Sequence, residues 1–169
     1  FFLAWASEVQ VKIEELISHI PTVSIRGEVK GEVSSITYDS RQCTQGSMFC
    51  AVSGTAQDGH DFIPDAINRG ANFILCERQV EVPAHVSLFQ VVNTREVMGK
   101  LGRVFYGDPA SRLCLVGVTG TNGKTTVSYL MESIFRQAGF KAGVLGTVNY
   151  RYGGLVFPAP NTTPESLDM

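Results

Sequence analysis

Gly117-Val118-Thr119-Gly120-Thr121-Asn122-Gly123-Lys124-Thr125-Thr126 is the stretch on which the reading of this chain turns. Its glycines let the backbone fold inward without Cβ clashes, so that several N–H groups can aim at one point, as a bound phosphate requires. The apolar run Leu113 to Val118 ahead of the loop predicts a strand, and Thr125 to Ala138, stopped by Gly139, predicts a helix. A helix start adds its dipole to the loop, and Lys124 adds a point charge suited to β- and γ-phosphates. Thr125 is the expected Mg²⁺ ligand through its hydroxyl. The general spacing G-x-x-x-x-G-K-[ST] would put a glycine at position 118, where this chain has Val118. The competing reading is a glycine-rich turn with no ligand. A Gly-Lys-Thr-Thr run between a strand and a helix favours the phosphate loop.

Downstream of that loop, Ala142 to Leu145 reads as a second strand, completing a β-loop-α-β unit that favours a parallel sheet with a right-handed crossover. Asn149 to Phe157, broken by Gly153-Gly154, reads as a hairpin. Pro164 to Met169 looks like the first turn of a helix, with Thr163 capping and Pro164 at its first position. Upstream, Thr94 is expected to cap a helix whose core face is Val97, Leu101, Val104 and Phe105, closed by Gly107 and Pro109. Short β-rich runs cover Val33 to Tyr38, Met48 to Val52, Asn72 to Cys76 and Val86 to Val92. Pro64 to Arg69 before Gly70 reads as a short helix, and Val9, Ile13, Leu16, Ile17 and Ile20 recur at helical spacing up to Pro21. The fold class is α/β. The boundary is expected at Asp108-Pro109-Ala110-Ser111, giving a small α/β domain over residues 1–108 and the beginning of a P-loop domain with a parallel sheet over 109–169.

Composition narrows the function from the other side. The 169 residues are 44% apolar and carry a net charge of -2 with no run of Lys or Arg, which excludes intrinsic disorder and leaves no footprint for nonspecific nucleic-acid or anionic-membrane binding. No apolar stretch approaches the roughly 18 residues of a membrane span. Cys43, Cys50, Cys76 and Cys114 form no C-x-x-C pair, and three of the four sit in apolar runs; they read as buried thiols in a reducing compartment, by default the cytoplasm. At the start, Ala4-Trp5-Ala6 has the small-x-small look of a signal-peptidase site, but the apolar segment is short and no basic region precedes it. An artificial start or a translated upstream stretch is the preferred reading, and the chain is expected to be a fragment.

The loop from Gly117 to Thr126, written Gly-x-x-Gly-Thr-x-Gly-Lys-Thr-Thr, resembles the variant P-loop of the ATP-dependent Mur ligases of peptidoglycan synthesis. Folylpolyglutamate synthetases carry a similar loop but usually have Gly-Ser after the lysine, and cyanophycin synthetases share the Thr-Thr version. The upstream residues Asp39-Ser40-Arg41, Gly46, Met48-Phe49-Cys50-Ala51, Gly54, Asp58-Gly59-His60-Asp61-Phe62, Ala66 and Gly70-Ala71 resemble the uridine-nucleotide domain shared by the ligases that add the third residue and the terminal dipeptide. Gly146-Thr147 and Asn161-Thr162-Thr163-Pro164 are similar to the third-residue branch. The resemblance runs from Val33 to Met169.

The resemblance implies a set of roles. Tyr38 and Ser40 contact the uracil-ribose end of a UDP-N-acetylmuramoyl-dipeptide, and Thr55, Ala56 and Gln57 line the same site. Gly120, Thr121, Asn122, Gly123, Lys124, Thr125 and Thr126 hold ATP, with Lys124 catalytic. Asn161, Thr162 and Thr163 contact the muramoyl-dipeptide, where short amide and hydroxyl groups can bond carbonyls. The implied reaction joins a diamino acid, meso-diaminopimelate or L-lysine, to the substrate's glutamate through an acyl phosphate, with ATP and Mg²⁺. The fragment alone is expected to be inactive. Blander readings stay beside these: Ser40-Arg41 as a turn with a surface arginine, His60 as a turn residue bonded to its own loop, and Asn161 to Pro164 as a plain helix cap. Three alternatives also stand: a terminal-dipeptide ligase, a cyanophycin-synthetase-type ligase, and a module that binds nucleotide without turnover.

Overall fold

Ile13, Leu16, Ile17 and Ile20 are buried as their helical spacing predicts, but only Ile13–Ser18 forms the helix, α1, and Val9 is exposed. Just ahead of it Val11–Lys12 is a short strand, β1, and the Ile13 N–H is donated to the Gly31 carbonyl at 3.0 Å. That long-range bond fixes where the helix starts. β2 (Ser24–Arg26) and β3 (Glu32–Val33) follow, the latter antiparallel to β1.

This computed structural model describes residues 9–54, 57–159 and 164–168. The chain divides into two compact units, one running to Arg112 and the other starting at Leu113. In the first, β4 (Ser35–Thr37), β5 (Ser47–Cys50), β6 (Ala71–Cys76) and β7 (Ser87–Gln90) lie side by side in chain order, each parallel to the next. β2 closes the sheet antiparallel to β7. Parallel strands require cover on both faces, and the alternation of side chains provides for it. Phe49, Ile74, Cys76 and Leu88 share one face and cluster with Ile63 and Ala66 of α2 (Ile63–Asn68). The alternate residues Met48, Cys50, Phe73, Leu75 and Phe89 point the other way and are buried too. α3 (Thr94–Phe105) packs on α1 and buries Val97, Met98, Leu101 and Phe105.

The cap of α3 differs from the expectation. Asn93, not Thr94, is the capping residue, its side-chain oxygen accepting the Glu96 N–H at 3.0 Å. Thr94 is the first helical residue, and its buried hydroxyl is without a hydrogen-bond partner among the described residues. At the other end Gly107 and Asp108 both take positive φ, 69° and 53°, which stops the helix.

The second unit holds α4 (Lys124–Gln137), β8 (Val144–Leu145), β9 (Asn149–Tyr152) and β10 (Leu155–Pro158). Its three strands are all antiparallel, in the order β10-β9-β8, so the parallel sheet expected for this region is not formed among the described residues. Leu113 to Val118 is likewise not a strand: it joins no sheet among the described residues, and Leu113, Leu115 and Val116 are exposed. A run of apolar residues becomes a strand only with a ladder beside it. The hairpin is as expected, turned by Gly153 and Gly154 at φ 59° and 84°, the pair of positive values a two-residue loop needs. Arg151 ties it to α4, donating to Glu132 at 2.6 Å and lying 3.7 Å over the centre of the Tyr129 ring. Residues 164–168 form a turn, not a first helical turn, and Thr163 lies outside the described residues.

Cys43, Cys50 and Cys76 are buried free thiols, whereas Cys114, although inside an apolar run, is exposed. Burial pushes the thiols of Cys43 and Cys76 up to about 11 and that of Cys50 further. These are inert core groups.

Candidate functional site

In a parallel sheet the loops that leave the C-terminal strand ends gather along one edge, where α/β proteins place their ligands. Four loops do so in the first unit. Tyr38 and Ser40 follow β4, Gln57 lies in the loop after β5, Glu77 follows β6, and Asn93 follows β7. Thr55 and Ala56 fall in the second of these loops but outside the described residues, as do Asn161, Thr162 and Thr163 of the second unit.

The loop after β4 is built by Asp39. Its carboxylate accepts the Arg41 N–H at 3.0 Å, starting a single 3₁₀ turn over Ser40–Gln42, and the Arg41 guanidinium returns to the same carboxylate at 2.7 and 2.9 Å. Those bonds hold Asp39 below the usual carboxylate range. Arg41 is therefore a surface residue bonded to its own turn. Ser40 is buried, and its hydroxyl donates to Asp65 of α2 at 2.7 Å, which, with Arg69, lowers that carboxyl as well. Having given its hydrogen to Asp65, the Ser40 oxygen can only accept from a further partner. Tyr38 is half-buried and Gln57 is exposed.

His60 bonds to its own loop and also beyond it. Its Nδ1 lies 2.6 Å from Asp58 Oδ1, and its Nε2 accepts the Glu77 N–H at 3.0 Å, so the proton sits on Nδ1. Bonds from the His60 N–H and ring hold Asp58 below the usual range, with Arg78 adding at 3.0 Å. No cluster of three metal-ligating side chains occurs among the described residues.

The second unit carries a candidate site of its own. Gly123 stands at the N-cap of α4 with φ 77°, and Gly120 has φ 147°. Gly123 has no side chain with which to cap α4, and the first N–H groups of a helix have no partner within the helix, the arrangement that binds an anion. Lys124 folds back over the loop, its Nζ donating to the Gly120 carbonyl at 2.6 Å. Thr125 lies in the first turn and is half-buried, and a hydroxyl there suits a cation held mainly by phosphate oxygens and water. Mg²⁺ needs few protein ligands in such a setting, and this donor set fits it.

Sequence reasoning missed Asp65 and Glu77. The available signal was position: Glu77 is the first charge after the apolar run ending at Cys76, directly at a strand end.

Two family models match the chain: "Mur ligase family, catalytic domain" over residues 32–106 and "Mur ligase middle domain" over 118–169. Among curated proteins, the UDP-N-acetylmuramoyl-L-alanyl-D-glutamate–2,6-diaminopimelate ligase of Geobacter sulfurreducens is 41% identical over 159 residues, covering 94% of this chain and 31% of that protein. The ligase of the same name from Geobacillus thermodenitrificans is 43% identical over 157 residues, covering 93% and 32%. The chain thus spans about a third of the length of the curated relatives it matches. A solved structure titled as a ligase of that name has a TM-score of 0.71 at 23% identity, covering 94% of this chain and 32% of its own. MurF from Acinetobacter baumannii reaches 0.57 at 24% identity, covering 82% and 29%. These two likenesses concern the fold.

Proposed function

The chain belongs to the Mur ligase family, and on that footing we propose that it serves an ATP-dependent amide ligase of peptidoglycan precursor synthesis. The reaction adds a diamino acid, meso-diaminopimelate or L-lysine, to UDP-N-acetylmuramoyl-L-Ala-D-Glu. Identity of about 40% to ligases named for diaminopimelate supports the third-residue branch. Residues 1–108 take the UDP-substrate, and residues 109–169 begin the ATP domain. The setting is the cytoplasm; no helix among the described residues is long and apolar enough to cross a membrane.

A carboxylate does not react with an amine until one oxygen becomes a leaving group. In this reading the glutamate carboxylate takes the γ-phosphoryl group of ATP, releasing ADP, and the incoming amine then displaces phosphate. The residues from Gly120 to Thr126 do no covalent work: their backbone N–H groups and the α4 dipole hold the phosphates in line, and Lys124 offsets charge on the transferring group. Mg²⁺, when bound at Thr125, supplies further neutralisation of phosphate charge. In the other unit Tyr38, Ser40, Thr55, Ala56 and Gln57 receive the uridine end, and Asn161, Thr162 and Thr163 meet the muramoyl-dipeptide.

The observation that carries the proposal is the uncapped, glycine-led start of α4 with the Lys124 ammonium already folded over the loop. Lys124→Ala in the full-length enzyme tests it. Phosphate release should fall by about 10²- to 10³-fold or more, while calorimetric binding of the UDP-substrate stays near the wild-type value. Unchanged turnover would overturn the assignment.

A further inference from the structure

The loop leaving β5 turns back on itself. Ser53 and Asp58 form an isolated antiparallel bridge, and the Gly59 N–H donates to the Val52 carbonyl at 2.9 Å. Ser53, Gly54 and Gln57 are exposed, so no buried apolar side chain of theirs holds the turn in place. Polar links to the end of β6 do so instead. Ser53 Oγ donates to Glu77 Oε2 at 2.7 Å, Asp58 pairs with Arg78 at 3.0 Å, and the His60 ring accepts the Glu77 N–H at 3.0 Å. The second carboxylate oxygen of Glu77 accepts the Thr94 N–H at 2.8 Å, where the N-terminal dipole of α3 favours a negative charge. Its backbone carbonyl accepts from Gln90 Nε2 at 3.2 Å. One residue therefore joins the ends of β5, β6 and β7.

Resting on the uridine-substrate reading above, we propose that Glu77 is a positioning residue for UDP-substrate binding. It fixes the Ser53 stem against the start of α3, and so sets where Gln57 is presented along the strand ends. A displacement of about 1 Å at a recognising group is enough to cost most of its contribution.

The test uses the full-length enzyme with UDP-N-acetylmuramoyl-L-Ala-D-Glu as the probe. Glu77→Ala should raise the KM for that substrate about ten-fold or more while leaving the KM for ATP and kcat at saturation near wild type. Glu77→Gln, which keeps an acceptor for Thr94 and a partner for Ser53, should restore KM to within about two-fold. A purely structural role would lower the melting temperature and the active fraction without moving either KM. Ser53→Ala, which removes one anchor and leaves the α3 contact, gives the same selective rise in KM on a smaller scale and serves if Glu77→Ala does not fold. A UDP-substrate KM unchanged in both Glu77→Ala and Ser53→Ala overturns the role of Glu77 alone. Wild-type enzyme that binds no UDP-substrate overturns the functional reading and this inference with it.

Discussion

Gly59 in the first unit and Gly123 in the second are glycines for different reasons. In the first, Gly59 lies where a Cβ would meet Val52 backbone atoms at 2.6 and 2.7 Å, beside the central strands β5 and β6, which are buried on both faces. In the second, Gly123 has nothing within 4 Å of such a Cβ, and α4 has no buried residue, but its φ is 77°. Close backbone packing demands a glycine at position 59, and local backbone conformation demands one at 123. The geometry of the loop bearing Gly59 should thus depend on distant contacts, whereas the proposed phosphate loop should depend chiefly on its own residues.

Substitutions sharpen that contrast. Gly59→Ala should cost about 3 kcal/mol in urea denaturation, because backbone and not a yielding side chain stands in the way. Gly123→Ala should cost about 1–2 kcal/mol, the penalty of a left-handed residue in open space, and should weaken ATP binding far more than it weakens the fold. Equal stability losses would erase the distinction. Asn93→Ala should then cost about 1 kcal/mol through the lost cap, while Thr94→Val, which deletes a buried hydroxyl with no partner, should be neutral or slightly stabilising. The reverse order in thermal melts would return the cap to Thr94.

The smallest expected effect is on acid stability. Asp39, Asp58 and Asp65 all lie in the first unit and are held below their ordinary value of 3.8. A lowered folded-state value means the unfolded chain takes up protons first, so this contribution is present above about pH 4 and fades as pH falls through the folded values. Asp58→Asn should flatten the loss of the melting temperature between pH 5 and about pH 3; an unchanged slope counts against the Asp58 bonds.

What was legible in the sequence follows the same division. The runs around Phe49, Ile74 and Phe89 gave their strands because a continuous apolar run is what a strand buried on both faces requires, and Gly153-Gly154 gave its hairpin because two positive φ values have few other uses. The run from Leu113 to Val118 misled, because apolar content says nothing about whether a neighbouring strand is present to bond. The start of α1 was set by Gly31, a residue far along the chain that no local spacing reveals. At the candidate site, the proposed phosphate loop rests on contiguous residues, Gly117 to Thr126, which is why a sequence alone can suggest it. Glu77 and Asp65 were not legible, since each acts through a partner 24 or 25 residues away, Ser53 and Ser40 respectively.

The chain-order arrangement of β4, β5, β6 and β7 also makes the strand ends a ruler. Neighbouring strands stand about 4.8 Å apart, so the loops bearing Ser40, Gln57, Glu77 and Asn93 form successive marks spanning about 14 Å. An elongated ligand laid along them meets the loops in the order in which the sequence is written, and a compact one reaches only two adjacent marks. Insertion in any one loop changes what is read at that mark without shifting the others. Length recognition and chemical recognition are thereby separable on this edge.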